Sequence, residues 1–355
     1  MPHVAFQPRC LPLLIGSLPL ADHSQAADWV TAATPESPTW VQLPSYPEEG
    51  MLRQFAPGLP GLVASDERVF VDTTAADFET ALVDFYEDYL AVDEGAGDLS
   101  ATRFALQPTT ARGFFVLLER LARRSAPPAV VKGQITGPVT FGLGLRQGDG
   151  RAIFYDPHLR DAAVKLLALK ARWQVRRLKA CGAPVVLFLD EPALAGYGSS
   201  DMISIAPEEI DACLGEVIAA VHAEGGLTGI HVCANTDWAL ILKSAVDIVN
   251  FDAYTYLDRF LLYARELKGF LDDGRSVAWG LVPTTPVEAI QEATLERLQA
   301  RWEALMSALA LQGADLERVR RQAFITPSCG AGSLSRSHAE RVLALTHDLA
   351  AALAF

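Results

Sequence analysis

Cysteine is scarce: Cys10, Cys181, Cys213, Cys233 and Cys329 are the five in a chain of 355 residues. An odd number at wide spacing builds no disulfide framework and fits a reducing, cytoplasmic compartment. Positive charge is also short. Lys and Arg number 30 against 43 Asp and Glu, a net charge of −13, and the basic residues form no run. Nucleic acid and anionic membrane surfaces are therefore not expected as partners. No apolar run reaches the roughly 18–20 residues of a membrane span. Residues 11–21 are apolar, but Pro12, Pro19 and Gly16-Ser17 interrupt them and only Arg9 precedes them closely, unlike a secretory signal. A glycine-rich phosphate turn is missing too. The first apolar run leads into Gly16-Ser17-Leu18-Pro19, where a dinucleotide-binding doubly wound sheet would carry such a turn.

Half of the chain is hydrophobic, enough for a large core and against disorder. Length alone would allow two or three domains. Short apolar runs at Leu13, Val41, Val131, Val186, Ile230, Val249, Ala278 and Phe324 read as strands, and helical patterns separate most of them. Apolar strands alternating with helices argue an α/β fold with a parallel sheet covered on both faces. Eight such units argue one (β/α)8 TIM barrel over residues 1–355. A Pro- and Gly-rich excursion, residues 45–72, follows the second strand and holds a further apolar run, Val69-Phe70-Val71, as a hairpin or functional loop would. Asp156-Pro157 opens a long helix that Gly182 stops. Thr285-Pro286-Val287-Glu288 has the form of a capping box opening a helix to about Leu309. Cys213 falls on an apolar helical face and Cys181 precedes Gly182, so both read as packing residues.

A barrel carries its chemistry at the C-terminal ends of its strands. The candidate residues fall there: Ser17, Asp190, His231, Cys233, Asp252 and Cys329. In a strand, residues i and i+2 share a face, so His231 and Cys233 point the same way. Imidazole and thiolate together suit a borderline-soft ion such as Zn²⁺. A lone His-x-Cys also occurs in packed cores; a second cysteine at another strand end, in Pro327-Ser328-Cys329-Gly330, favours the metal. Asp252 is a candidate fourth ligand or a helix cap. Asp190-Glu191-Pro192 puts a carboxylate pair at a strand end, able to bind a substrate amine, bind metal or cap a helix. Gly137-Pro138-Val139-Thr140 reads as a turn into a helix. Glu48 and Glu49 lie in the long loop and by themselves read as surface.

These pieces together resemble the C-terminal catalytic half of cobalamin-independent methionine synthase, and more closely its short, single-domain, core-type relatives. Uroporphyrinogen decarboxylases belong to the same superfamily but lack the His-x-Cys and late Cys-Gly. The resemblance runs from Ile15-Gly16-Ser17 through Thr136-Gly137-Pro138-Val139-Thr140, Asp190-Glu191-Pro192-Ala193-Leu194 and His231-Val232-Cys233 to Pro327-Ser328-Cys329-Gly330. It implies that His231, Cys233 and Cys329 hold zinc, with Asp252 where the family has a glutamate ligand. It implies a homocysteine site at Ile15, Gly16 and Ser17, with Ser17 on the carboxylate, Asp190 on the amino group, and a loop glutamate matched by Glu48 or Glu49.

Three departures from the full-length enzymes concern the methyl donor. Gly144 stands where they stack a Trp on folate, Gly196 where a Glu binds the pterin, and Gly280-Leu281-Val282-Pro283-Thr284 where a His transfers a proton. A methylcorrinoid leaves without needing that proton. The expectation is therefore a zinc-dependent methyltransferase that makes methionine from homocysteine, with methylcobalamin or a methylated corrinoid protein as donor. The alternatives are a methyltransferase for another thiol, of the coenzyme M type, a uroporphyrinogen decarboxylase-like enzyme, and a non-catalytic zinc scaffold.

Overall fold

The computed structural model describes residues 6–65, 68–95, 97–199, 202 and 204–354. Among these, ten strands form two sheets: β1 (Leu11–Pro12), β2 (Leu62–Ala64), β3 (Val69–Val71), β4 (Val131–Thr136), β5 (Arg146–Gln147), β6 (Val185–Asp190), β7 (Leu227–Val232), β8 (Ile248–Phe251), β9 (Ser276–Val282) and β10 (Ala323–Pro327). Seven of them pair in parallel, in the order β1-β10-β9-β8-β7-β6-β4. Sequential neighbours joined through helices give this order, as a right-handed run of β-α-β crossovers does.

Eight strands were expected and seven form. The segment after β1 that holds Trp40 and Val41 lies between the sheet's edge strands, yet makes only isolated bridges, Gln42 with Ser17 and Thr39 with Lys132. Its backbone bonds run to both sides: Lys132 N donates to Pro38 O (2.9 Å) and Gln42 N to Gly16 O (3.1 Å). Pro35, Pro38 and Pro44 have no N–H to give, so no continuous ladder can form there. The architecture is thus a curled, parallel, seven-stranded sheet with helices on its outer side. In the excursion, β2 and β3 pair as an antiparallel hairpin and β3 adds β5 in parallel, making a separate three-stranded sheet. Residues 66–67 of that hairpin lie outside the described residues.

The long helix forms as its signals specify. It spans Pro157–Lys179, and the Asp156 side chain accepts from His158 N and Leu159 N. The helix expected from Thr285 is two helices instead, Val287–Glu292 and Leu295–Leu311. Thr294 caps the second through a bond from Arg297 N, while Pro286 makes no side-chain cap. A residue with its own capping oxygen inside the run restarts the helix there.

Alternation along the strands sorts the core into two faces. Val185, Leu187, Leu189, Val249, Phe251, Val277 and Trp279 belong to the main cluster with the helices. The opposite face begins apolar, with Leu13, Val130, Val186, Phe188, Ile248, Ala278 and Phe324. It turns polar toward the C-terminal ends, where Gln134, Thr136, His231, Asn250, Thr326 and Ser328 are buried, and Lys132 is buried on the same face lower down, level with Val186. The same period of two thus delivers an apolar floor and a polar end. No described helix is long and apolar enough to cross a membrane.

Lys170, inside the long helix, is buried with its Nζ 3.4 Å from Arg103 O, and burial pushes its pKa down to about 7. In the unfolded chain it titrates near 10.5. Below about pH 7 the fold carries the full cost of a buried ammonium; between pH 7 and 10.5 the unfolded chain holds the extra proton, so stability rises with pH. Lys170→Met is therefore expected to raise the melting temperature, by the equivalent of about 2 kcal/mol or more at pH 6 and by clearly less at pH 9.5. An equal gain at both pH values, read by thermal unfolding, would show that Lys170 is not buried as a charge.

Candidate active site

Strand register brings the candidate residues together. Asp190, the last residue of β6, pairs with His231 of β7, and His231 pairs with Asn250 of β8. Cys233 follows on the His231 face. Cys329 comes from the turn after β10, at the other end of the sheet. Among the described residues, His231, Cys233 and Cys329 each offer one ligand atom, and these atoms all lie within 4.8 Å of one another.

The imidazole is oriented from behind. His231 Nδ1 lies 2.5 Å from Asn250 Oδ1. Asn250 Nδ2 donates to Ala278 O (2.7 Å) and Thr326 Oγ1 (2.9 Å), so Oδ1 is the acceptor and Nδ1 carries the hydrogen. The lone pair is then on Nε2, which is buried and has no partner among the protein groups. A buried nitrogen with an unshared pair, aimed at two thiols, is the arrangement a metal ligand needs. One imidazole and two thiolates suit zinc, and three protein donors leave the fourth position open. The mutual hydrogen bonding of the two thiols, with His231 alongside, holds Cys233 well below the usual thiol range and pushes Cys329 above it.

The structure does not bring Asp252 into that group. It is buried at the start of the helix Ala253–Phe260, and its Oδ1 accepts from Thr255 N at 2.9 Å, the capping role that its position after a strand also allowed.

A cavity of about 380 Å³ opens over the three ligand atoms. Of the expected substrate residues, Ile15, Ser17, Glu49 and Asp190 line it, as do Gln42 and Met51. Ser17 Oγ accepts from Gly332 N at 3.2 Å, which leaves its hydroxyl hydrogen for a ligand. A Cβ at Gly330 would overlap Ser17 Oγ, so the turn that carries Cys329 needs glycine to close against the Ser17 loop. Gly16 does not line the cavity; the space beside it is taken by the Gln134 side chain. Glu48 is exposed and turned away, while its neighbour Glu49 is buried at the wall.

The two carboxylates of Asp190-Glu191 have separate fates. Glu191 accepts from Val139 N (2.9 Å), Thr140 N (2.7 Å) and Thr140 Oγ1 (2.6 Å). It thereby ties the end of β6 to the Gly137-Pro138-Val139-Thr140 turn, and a Cβ at Gly137 would collide with it. Burial pushes Glu191 up to about 7, against those hydrogen bonds. Asp190 keeps Oδ1 buried and without a partner. Burial raises its pKa, opposed by Lys132 and His231. Lys132 is a buried ammonium on the inner face, donating to Ile15 O (2.5 Å) and Gln134 Oε1 (3.2 Å) and lying 5.0 Å from the Phe188 ring centre. Burial lowers its pKa to about 8, with Asp190 opposing the shift.

Three participants escaped the sequence reading: Asn250, Lys132 and His23, which is paired with Glu49. Asn250 and Lys132 had a readable signal. Each is a single strongly polar residue inside an apolar strand, Ile248-Val249-Asn250-Phe251 and Val130-Val131-Lys132-Gly133, on the face that carries the site.

The sequence pattern of the cobalamin-independent synthase catalytic domain matches residues 113–352. A methionine synthase of Methanothermobacter thermautotrophicus is 29% identical over 212 residues, which are 59% of this chain and 59% of that protein, so the match spans less than two thirds of the relative. The solved structure of a B12-independent methionine synthase from Shewanella sp. W3-18-1, in complex with selenomethionine, superposes with a TM-score of 0.52 at 14% identity, covering 97% of each chain. At that identity the likeness is one of fold. The matched family is cobalamin-independent. This overturns the expected methylcobalamin or methylcorrinoid donor and, with it, the corrinoid protein partner. The departures at Gly144, Gly196 and Val282-Pro283 record what is missing, and a missing aromatic or acid does not specify a replacement donor.

Asn250→Ala removes the acceptor that selects the Nε2 lone pair. Zinc affinity, measured by competition with a chromogenic chelator, is expected to fall about 10- to 100-fold. Unchanged affinity would mean that His231 is oriented without Asn250, or is not a ligand.

Proposed function

The chain belongs to the cobalamin-independent synthase catalytic-domain family, and we propose that it is a zinc-dependent methyltransferase that methylates the thiol of homocysteine to give methionine, from a donor that carries no corrinoid. The observation that carries this reading is the meeting of His231, Cys233 and Cys329 at a cavity also lined by Ser17, Glu49 and Asp190. A structural zinc site would close its fourth position with protein, and it would have no need of a cavity with an unpartnered carboxylate beside it.

Zinc bound by His231, Cys233 and Cys329 would lower the pKa of a thiol at its open position, making the nucleophilic thiolate available at neutral pH. The chain's own residues do the rest. Asp190 Oδ1 takes the substrate ammonium, and Lys132 behind it favours the ionised carboxylate. Ser17 donates its hydroxyl hydrogen to the substrate carboxylate. Asn250 keeps the His231 hydrogen on Nδ1. Held at both ends of its amino-acid moiety, homocysteine has its sulfur directed toward the three ligand atoms. Such positioning accounts for a large share of the barrier in group transfer.

We read residues 1–355 as one catalytic unit in the cytoplasm, because Ser17 and Cys329 come from opposite ends of the chain to one cavity and its two thiols must stay reduced. With residues 36–42 in eighth place, the sheet reads as a (β/α)8 barrel.

Zinc-loaded protein is expected to release about one proton per homocysteine bound near pH 7. Calorimetry in buffers of different ionisation enthalpy measures this, and homoserine, with a hydroxyl for the thiol, should release none. Equal proton release with both ligands would contradict thiol activation.

Asp190→Asn should weaken homocysteine about tenfold or more, as loss of a charge-assisted hydrogen bond does. It should leave 4-mercaptobutanoate, the same thiol without the amine, nearly unchanged. Equal weakening of the two in a direct titration would make Asp190 structural.

A further inference from the structure

Asp190, Glu191 and Glu49 are three carboxylates at this end of the sheet, and their partners differ. Glu191 is fully used on the backbone and Thr140. Asp190 is partly free. Glu49 sits in the cavity wall, held from behind by a residue that does not itself line the cavity. His23 Nε2 lies 2.6 Å from Glu49 Oε1, and Leu43 N donates to Glu49 Oε2 at 2.8 Å. Both side chains of the His23–Glu49 pair are almost fully buried, at 4% and 2% exposed.

His23 is in turn fixed. It is the first residue of the helix His23–Ala33, just after Asp22, whose side chain caps the helix. Its ring packs 5.2 Å from the ring of Tyr46, and Tyr46 Oη donates to Ala21 O at 2.7 Å. A glutamate at the end of a short turn, Pro47–Glu49, has three free torsions. One hydrogen bond on each oxygen removes that freedom and still leaves each oxygen further acceptor capacity. Among the described residues, the carboxylate has no further hydrogen-bond partner than these two. The remaining capacity is therefore open to a ligand donor, and an ammonium is the donor that an anionic wall selects.

Building on the homocysteine reading, we propose that His23 is a positioning residue: it holds the Glu49 carboxylate at the cavity wall so that Glu49 and Asp190 together receive the substrate ammonium, and so it sets selectivity for an amino-acid thiol over a plain thiol. A buried polar pair is by itself weak evidence of a stabilising role, and this one spans from a helix start to the wall of the ligand cavity.

The test titrates zinc-loaded wild type, H23L and H23Q with homocysteine and with 4-mercaptobutanoate. In H23L, homocysteine should bind about tenfold or more weakly while 4-mercaptobutanoate stays within about twofold. In H23Q, whose amide N–H reaches toward Glu49, most of the homocysteine affinity should return. Should H23L fail to fold, H23N, too short to reach Glu49, carries the same expectation. Equal weakening of both thiols, or no change in either, overturns the proposal. Wild-type protein that binds neither thiol defeats the homocysteine reading and this proposal with it. That outcome differs from a wild type that discriminates between the thiols while H23L discriminates just as well.

Discussion

The 2.5 Å hydrogen bond between His231 Nδ1 and Asn250 Oδ1 governs what the cavity can do. Asn250 cannot turn over, because its amide nitrogen is committed to Ala278 O and Thr326 Oγ1. The imidazole must therefore present a bare Nε2 to Cys233 and Cys329. Register supplies the geometry, since parallel pairing sets Asn250 beside His231 and His231 beside Asp190. A slip of one residue in β7 would turn His231 and Cys233 to the helix side and leave the cavity without either.

Charge is arranged in layers around that bond. Cys233 is held toward its thiolate form, and Asp190 and Glu49 add two carboxyl groups to the same cavity. A buried cation that acts on Asp190 is Lys132, on the inner face and level in register with Val186. Those acidic side chains suit a ligand that carries a cationic group. The Glu191 carboxylate adds nothing to that field's selectivity, because its hydrogen bonds are spent on joining β6 to the turn at Gly137.

Much of this was legible in the amino-acid order, and the rest was hidden for physical reasons. Short apolar runs located the strands from Val131 onward to within a residue or two, and therefore located the strand ends where His231, Cys233, Asp190 and Cys329 meet. The segment with Trp40 and Val41 looked like a strand by hydrophobicity, but its flanking prolines lack the donors a ladder needs. The helix predicted from Thr285 missed the restart at Thr294, where a local side-chain oxygen competes with helix continuation. Glu48 and Glu49 could not be told apart until the turn aimed one outward and one at the cavity. The partnership of His23 with Glu49 links residues 26 apart through tertiary packing, and no spacing rule reaches that far. The donor was misjudged because substitutions to glycine describe an absence only.

Zinc-edge X-ray absorption on the metal-loaded protein bears most directly on the central claim, that three protein donors leave one position for the substrate thiol. The account predicts two sulfur scatterers at ~2.3 Å and one imidazole nitrogen at ~2.0–2.1 Å, with the sulfur count rising to three when homocysteine is added. A sulfur count that stays at two in saturating homocysteine would contradict it, whatever the affinity for the metal.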